Sequence, residues 1–122
     1  MKKQGSMTHW IMKKIPFQPK SNSLTIRETV ITFGKVRPFV NICEVTGVVE
    51  HMNAEIRYIP DESVIEIGSY RKRLDKGFSN YVEDVAHIIY DEIETLISPK
   101  SLSVKVYLDD EYLSPWSVEV SS

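Results

Sequence analysis

The 122 residues are 42% hydrophobic and 26% charged, with 15 Lys and Arg against 17 Asp and Glu for a net charge of -2. That balance suits one globular domain and excludes wholesale disorder, while the acidic sum excludes attachment to duplex nucleic acid by bulk charge, so a polyanion must meet a local basic patch. No apolar run approaches the roughly 18 residues that a membrane span needs, and the high surface-to-volume ratio of so short a chain favours homo-oligomers.

Residues 1–22 read as an N-terminal extension, without the apolar core of a signal peptide, ordered only where another surface holds it. The polar joint Lys20-Ser21-Asn22-Ser23 leads into a single domain over 23–122. Leu24–Phe33 alternates and is rich in β-branched residues, which predicts a strand. Gly34 and Pro38 interrupt it, Phe39–Ile42 extends again, and Thr46-Gly47 marks a turn. Val48–Ile59 is a long strand. Val48, Glu50, Met52, Ala54, Ile56 and Tyr58 share one mostly apolar parity, which should face the core. Pro60–Ser63 turns and Val64–Ile67 is a short strand. Gly68–Lys76 is basic, with the character of a short helix.

Phe78, Tyr81, Val82, Val85, Ile89, Ile93 and Leu96 recur at spacings of three and four, which makes roughly Tyr81 to Ile97 the clearest helix. Asn80 with Glu83 fits a capping box, and Ser98-Pro99 stops the helix. Leu102–Leu108 alternates as a strand, Asp109-Asp110-Glu111 turns, and Tyr112–Val120 returns with Trp116, Val118 and Val120 on one parity. This order predicts an α+β fold, an antiparallel sheet of about four strands backed by two helices.

Four features have chemical content. Cys43 cannot form an internal disulfide, which fits a reducing compartment such as the cytoplasm. Either it packs as a small hydrophobe, or the turn-rich stretch around it presents a nucleophilic thiolate. Glu50, on the inward parity among Met52, Ala54 and Ile56, needs a partner or a task in proton transfer. Glu83 is either the cap partner of Asn80 or a carboxylate gripping the donor edge of a purine-like ring. Arg71-Lys72-Arg73 with Lys76 is either a solvated face or a phosphate contact. His51 and His87 lack metal-ligand spacing with Cys43, so no metal is expected, and no Gly-rich phosphate loop is present.

Taken in order, Cys43-Glu44-Val45-Thr46-Gly47, Glu50, Ile56-Arg57-Tyr58-Ile59-Pro60-Asp61-Glu62, Val64-Ile65-Glu66, Val82-Glu83-Asp84-Val85 and Pro99-Lys100 resemble the 7-cyano-7-deazaguanine (nitrile) reductase family of the tunnelling-fold superfamily. The likeness runs from Cys43 to Val106. It implies a tunnelling fold (T-fold) whose subunits join edge to edge into a barrel ring, with a decamer among the expected sizes. It implies that Cys43 adds to the nitrile carbon of 7-cyano-7-deazaguanine to form a thioimide. Glu50 falls on the family's catalytic Asp, one methylene longer. Glu83 falls on the carboxylate that anchors the deazaguanine ring, and Glu66 and Ser69 fall in the substrate-binding segment.

The chain also departs from that pattern. Glu44 stands for the family's Pro, Val82 for its His, Gly68 for a Lys and Arg73 for a Tyr, and the late Pro-Arg-Gly-Gly stretch is absent. The segment after Glu66 is linked to nicotinamide use, so these departures resemble the reductase-like archaeosine synthases. The resemblance then implies no cofactor: ammonia adds to the thioimide and leaves a formamidine on a base already in tRNA, with Arg71, Lys72 and Arg73 toward the phosphates. The alternatives are NADPH-dependent reduction to 7-aminomethyl-7-deazaguanine and, in another class, a non-catalytic purine- or pterin-binding module.

Overall fold

The computed structural model describes residues 12–16, 27–34, 37–108 and 117–122. The expectations for Leu24–Ile26, the Asp109–Glu111 turn, Tyr112–Trp116 and most of 1–22 lie outside them.

One strand organises the molecule. β4 (Val49–Ile59) buries Met52, Ala54, Ile56 and Tyr58 of the parity predicted from alternation, while Glu50 on that parity is half-buried and Val48 lies exposed in the loop before the strand. β2 (Thr29–Phe33) pairs antiparallel with its second half and β3 (Phe39–Ile42) with its first half, along the same edge. β6 (Ser101–Leu108) pairs antiparallel with the other edge, and β7 (Ser117–Ser121) continues beyond β6. The sheet thus has five strands and a width of four, because β2 and β3 lie end to end. Among the described residues the sheet does not close, and β7 and the β2–β3 side are its edges.

Asn53 is 1% exposed although it sits on the outward parity of β4. The chain leaving β2 folds over it at Gly34, whose φ is +118°; a Cβ there would stand 2.6 Å from Asn53 Cγ. Period-two reading assigns Asn53 to solvent because it does not register the segment crossing above.

Lys14–Pro16 forms β1, inside the stretch read as an extension, and pairs antiparallel with β5 (Ser63–Ile65). Ile67, predicted to end a strand, instead starts α1 (Ile67–Asp75). Glu66 causes the switch. Its carboxylate accepts from the Gly68 N–H (3.0 Å) and the Ser69 N–H (2.9 Å), supplying the acceptors that a helix start requires. These donors, led by Ser69, hold the Glu66 carboxyl below its ordinary pKa.

α2 (Val82–Ile97) lies across β6 and β7 and buries Val85, Ala86, Ile89, Ile93 and Ile97; of the stripe read from the sequence, Val85, Ile89 and Ile93 are buried, Val82 and Leu96 half-buried, and Tyr81 exposed ahead of the helix. Its capping box does not form. The N-cap is Tyr81, without a side-chain cap bond, because a tertiary contact claims the Asn80 backbone. The two helices are joined through Glu92, which accepts from the Tyr70 hydroxyl at 2.9 Å and from Arg73 Nε at 2.8 Å. Burial, reinforced by the Glu92 charge, pushes the Tyr70 hydroxyl well above its usual pKa. Among the described residues, no helix is long and apolar enough to cross a membrane.

Candidate functional site

β3 and β4 form a hairpin in which Asn41 faces Glu50 and Ile42 faces Val49. The loop from Cys43 to Val48 closes it. The Cys43 N–H donates to the Val48 carbonyl at 2.8 Å, and the Gly47 N–H donates to the Cys43 carbonyl at 2.9 Å. Gly47 turns the chain with φ +73°, a conformation that costs glycine little.

This winding aims the loop's donors at its first side chain. The Thr46 hydroxyl, then the Thr46 and Val45 N–H groups, hydrogen-bond the Cys43 sulfur and lower its pKa; burial and the negative charge of Glu50 act weakly the other way. Hydrogen bonds to the anion favour it, so the thiolate persists to lower pH than in an ordinary cysteine. Cys43 is partly exposed, hence open to a reactant.

Alkylation of this single cysteine by iodoacetamide is therefore expected to reach half its maximal rate below the ordinary thiol pKa. Thr46→Val removes the leading donor and should move that midpoint upward. An unmoved midpoint would remove the hydroxyl from the account.

Glu50 is held by a residue that the sequence reading passed over. Asn41 is 0% exposed, and its Nδ2 donates to Glu50 Oε1 at 2.8 Å and to the Asn80 carbonyl at 2.9 Å. Its Oδ1 accepts from the Asn80 N–H at 3.0 Å. Phe78 locks the same crossing: its N–H donates to the Val40 carbonyl and its carbonyl accepts from the Ile42 N–H, both at 2.9 Å. The segment before α2 is thereby laid along β3, and Glu83, exposed in the first turn of α2, follows three residues after Asn80. The only signal in the sequence was a polar residue set among Phe39, Val40 and Ile42.

Around the loop, Ile42, Val45, Val48, Val49 and Tyr81 are exposed, Val45 at 67%. An apolar rim beside a thiol of lowered pKa and a tethered carboxylate suits a flat, uncharged electrophile.

The other predicted site residues lie elsewhere in the bonding pattern. Glu66 is the cap of α1. Ser69 is buried; its hydroxyl donates to the Glu66 carbonyl (2.9 Å) and accepts from the Lys13 N–H (2.8 Å). Arg71 is tied to Asp75 and to the Arg37 carbonyl, while Lys72 is exposed. Arg73 departs from the surface role expected of it. It is 8% exposed, pairs with Glu92 and stands 4.4 Å from the Phe78 ring centre. Helical geometry explains this: with Tyr70 and Leu74 facing the core, position 73 points inward and position 72 outward. The basic run is therefore not one patch. Among the described residues, no group of three or more metal-ligating side chains assembles.

No protein-family model matches the chain. The NADPH-dependent 7-cyano-7-deazaguanine reductase of Pelodictyon phaeoclathratiforme is 34% identical over 96 residues, covering 76% of this chain and 81% of that protein. A protein of the same name from Chlorobium phaeobacteroides is 29% identical over 97 residues, covering 76% and 81%. Among solved structures, the archaeosine synthase QueF-Like in its apo form matches with a TM-score of 0.61 and 19% identity, over 84% of this chain and 96% of that one. At that identity the likeness concerns the fold, an α+β tunnelling fold.

Proposed function

The chain belongs to the 7-cyano-7-deazaguanine reductase family, and from that membership we propose that it acts on the nitrile of 7-cyano-7-deazaguanine through Cys43 and Glu50. The observation that carries the proposal is the Cys43 loop, whose own donors lower the thiol pKa in an accessible, apolar-rimmed position.

In the first step the thiolate attacks the nitrile carbon. The Cys43 thiol proton passes to the Glu50 carboxylate, a C–S bond forms, one π bond of the nitrile breaks, and its electron pair goes to nitrogen, which takes that same proton from the Glu50 carboxyl. Glu83, exposed at the start of α2, meets the N–H edge of the deazaguanine ring. The resulting thioimide has two fates. Ammonia adds to its carbon and the thiolate leaves, giving a formamidine with no net oxidation or reduction. Alternatively, two hydrides from two NADPH would reduce it to the aminomethyl product, the Cys43 thiolate leaving between the first and the second.

We favour ammonia, with the base carried in tRNA and no cofactor. In the segment after Glu66, exposed Gly68 stands where the family pattern has a Lys, and Arg73, turned inward, stands where it has a Tyr. Arg71 and Lys72, with exposed Arg37 and Lys76 nearby, would face the tRNA phosphates. The names of the relatives keep NADPH-dependent reduction as the second reading. Open sheet edges and the exposed apolar residues at the hairpin tip support a ring of subunits.

The test presents 7-cyano-7-deazaguanine as the free base and within tRNA, with an ammonium salt in one arm and NADPH in the other. The expected outcome is formamidine in the ammonium arm on tRNA, unchanged NADPH, and an oligomer on gel filtration. NADPH oxidation with aminomethyl product would overturn the choice of ammonia, and a monomer would overturn the ring.

A further inference from the structure

We propose that Asn41 is a positioning residue for the reaction: it orients the Glu50 carboxyl toward the nitrile nitrogen and couples that orientation to the start of α2. The inference rests on the reading of Cys43 and Glu50 given above, and it adds a residue to which no role is otherwise assigned.

The geometry carries it. Asn41 and Glu50 face each other across the hairpin, and the amide Nδ2 reaches Glu50 Oε1 at 2.8 Å. A glutamate has three side-chain torsions, so an unheld carboxyl samples many directions. The Asn41 amide is itself fixed by two further bonds, Nδ2 to the Asn80 carbonyl and Oδ1 from the Asn80 N–H. Those bonds satisfy both sides of the amide and determine which side faces Glu50. One carboxylate oxygen is occupied by Nδ2, which leaves the other for the reacting nitrogen. Because Asn80 lies three residues before Glu83, the same side chain holds the acid and the ring-binding carboxylate in one frame. Burial makes the tether firm, since a fully buried amide cannot exchange its partners for water.

Asn41→Asp keeps an oxygen for the Asn80 N–H but sets a carboxylate, not a donor, against Glu50. The experiment measures Cys43 adduct formation with 7-cyano-7-deazaguanine by intact mass, in four proteins: wild type, Asn41→Asp, Glu50→Gln and the double variant. Asn41→Asp is expected to slow adduct formation about 10- to 100-fold at saturating nucleobase. In the Glu50→Gln background the same change should alter the rate by no more than about twofold, because its effect passes through Glu50. Iodoacetamide alkylation of Cys43 in each variant reports that the loop is intact. An equal slowing in both backgrounds would make Asn41 merely structural and overturn the inference, as would an unchanged rate in Asn41→Asp alone; the reading of Cys43 would survive either result. A wild-type protein that forms no adduct would overturn that reading and this inference with it.

Discussion

Wild-type protein mixed with 7-cyano-7-deazaguanine is expected to gain the mass of one nucleobase, and Cys43→Ala to gain none. The adduct is a thioimide, and only a thiol can form it; the chain has a single cysteine. Cys43→Ser should also fail, because a serine hydroxyl is a far weaker nucleophile than a thiol whose pKa the loop already lowers. The expected loss is at least about 10³-fold in either variant. Both should fold as the wild type does, since Cys43 lies in a partly exposed loop held by backbone bonds that its side chain does not make. A mass gain that persists in Cys43→Ala would remove Cys43 from the mechanism. An unchanged mass in wild type would favour the non-catalytic purine- or pterin-binding module.

The largest effect on stability is expected from Gly34→Ala. With φ at +118°, Gly34 lies where an L side chain is strained, at a cost of about 1–3 kcal/mol. The new Cβ would also stand 2.6 Å from Cγ of the buried Asn53, and overpacking of that kind costs a further ~1–3 kcal/mol. A total on the order of 3 kcal/mol is a large share of what a domain of this size possesses. Gly47→Ala is the internal control. Gly47 shares a positive φ of +73°, yet a Cβ there meets nothing within 4 Å, so only backbone strain of roughly 1 kcal/mol applies. Urea midpoints of the two variants separate the terms. If Gly34→Ala proves no more destabilising than Gly47→Ala, the closure of Gly34 over Asn53 is wrong.

Local periodicity in the amino-acid sequence was enough for β4, β6 and α2, because alternation at two and recurrence at three and four register which face is buried, and these elements bury one face each. Cys43 and Glu50 became candidates by another route, the order and spacing of motifs resembling a known family. What periodicity could not convey is which segments cross. Asn41 gains its meaning from Glu50, nine residues away, and from Asn80, 39 residues away, brought together by strand register and by the chain laid along β3. That crossing also explains why the Asn80–Glu83 capping box fails, since a buried amide satisfies the Asn80 N–H and carbonyl in place of a local cap. The same reason holds for Arg73, read as surface charge but turned inward onto Glu92 and Phe78, and for Asn53, outward by alternation yet covered at Gly34. A polar group's partners are set by distance in space, and the low polarity of the interior makes those distant bonds outweigh nearer ones that water can replace.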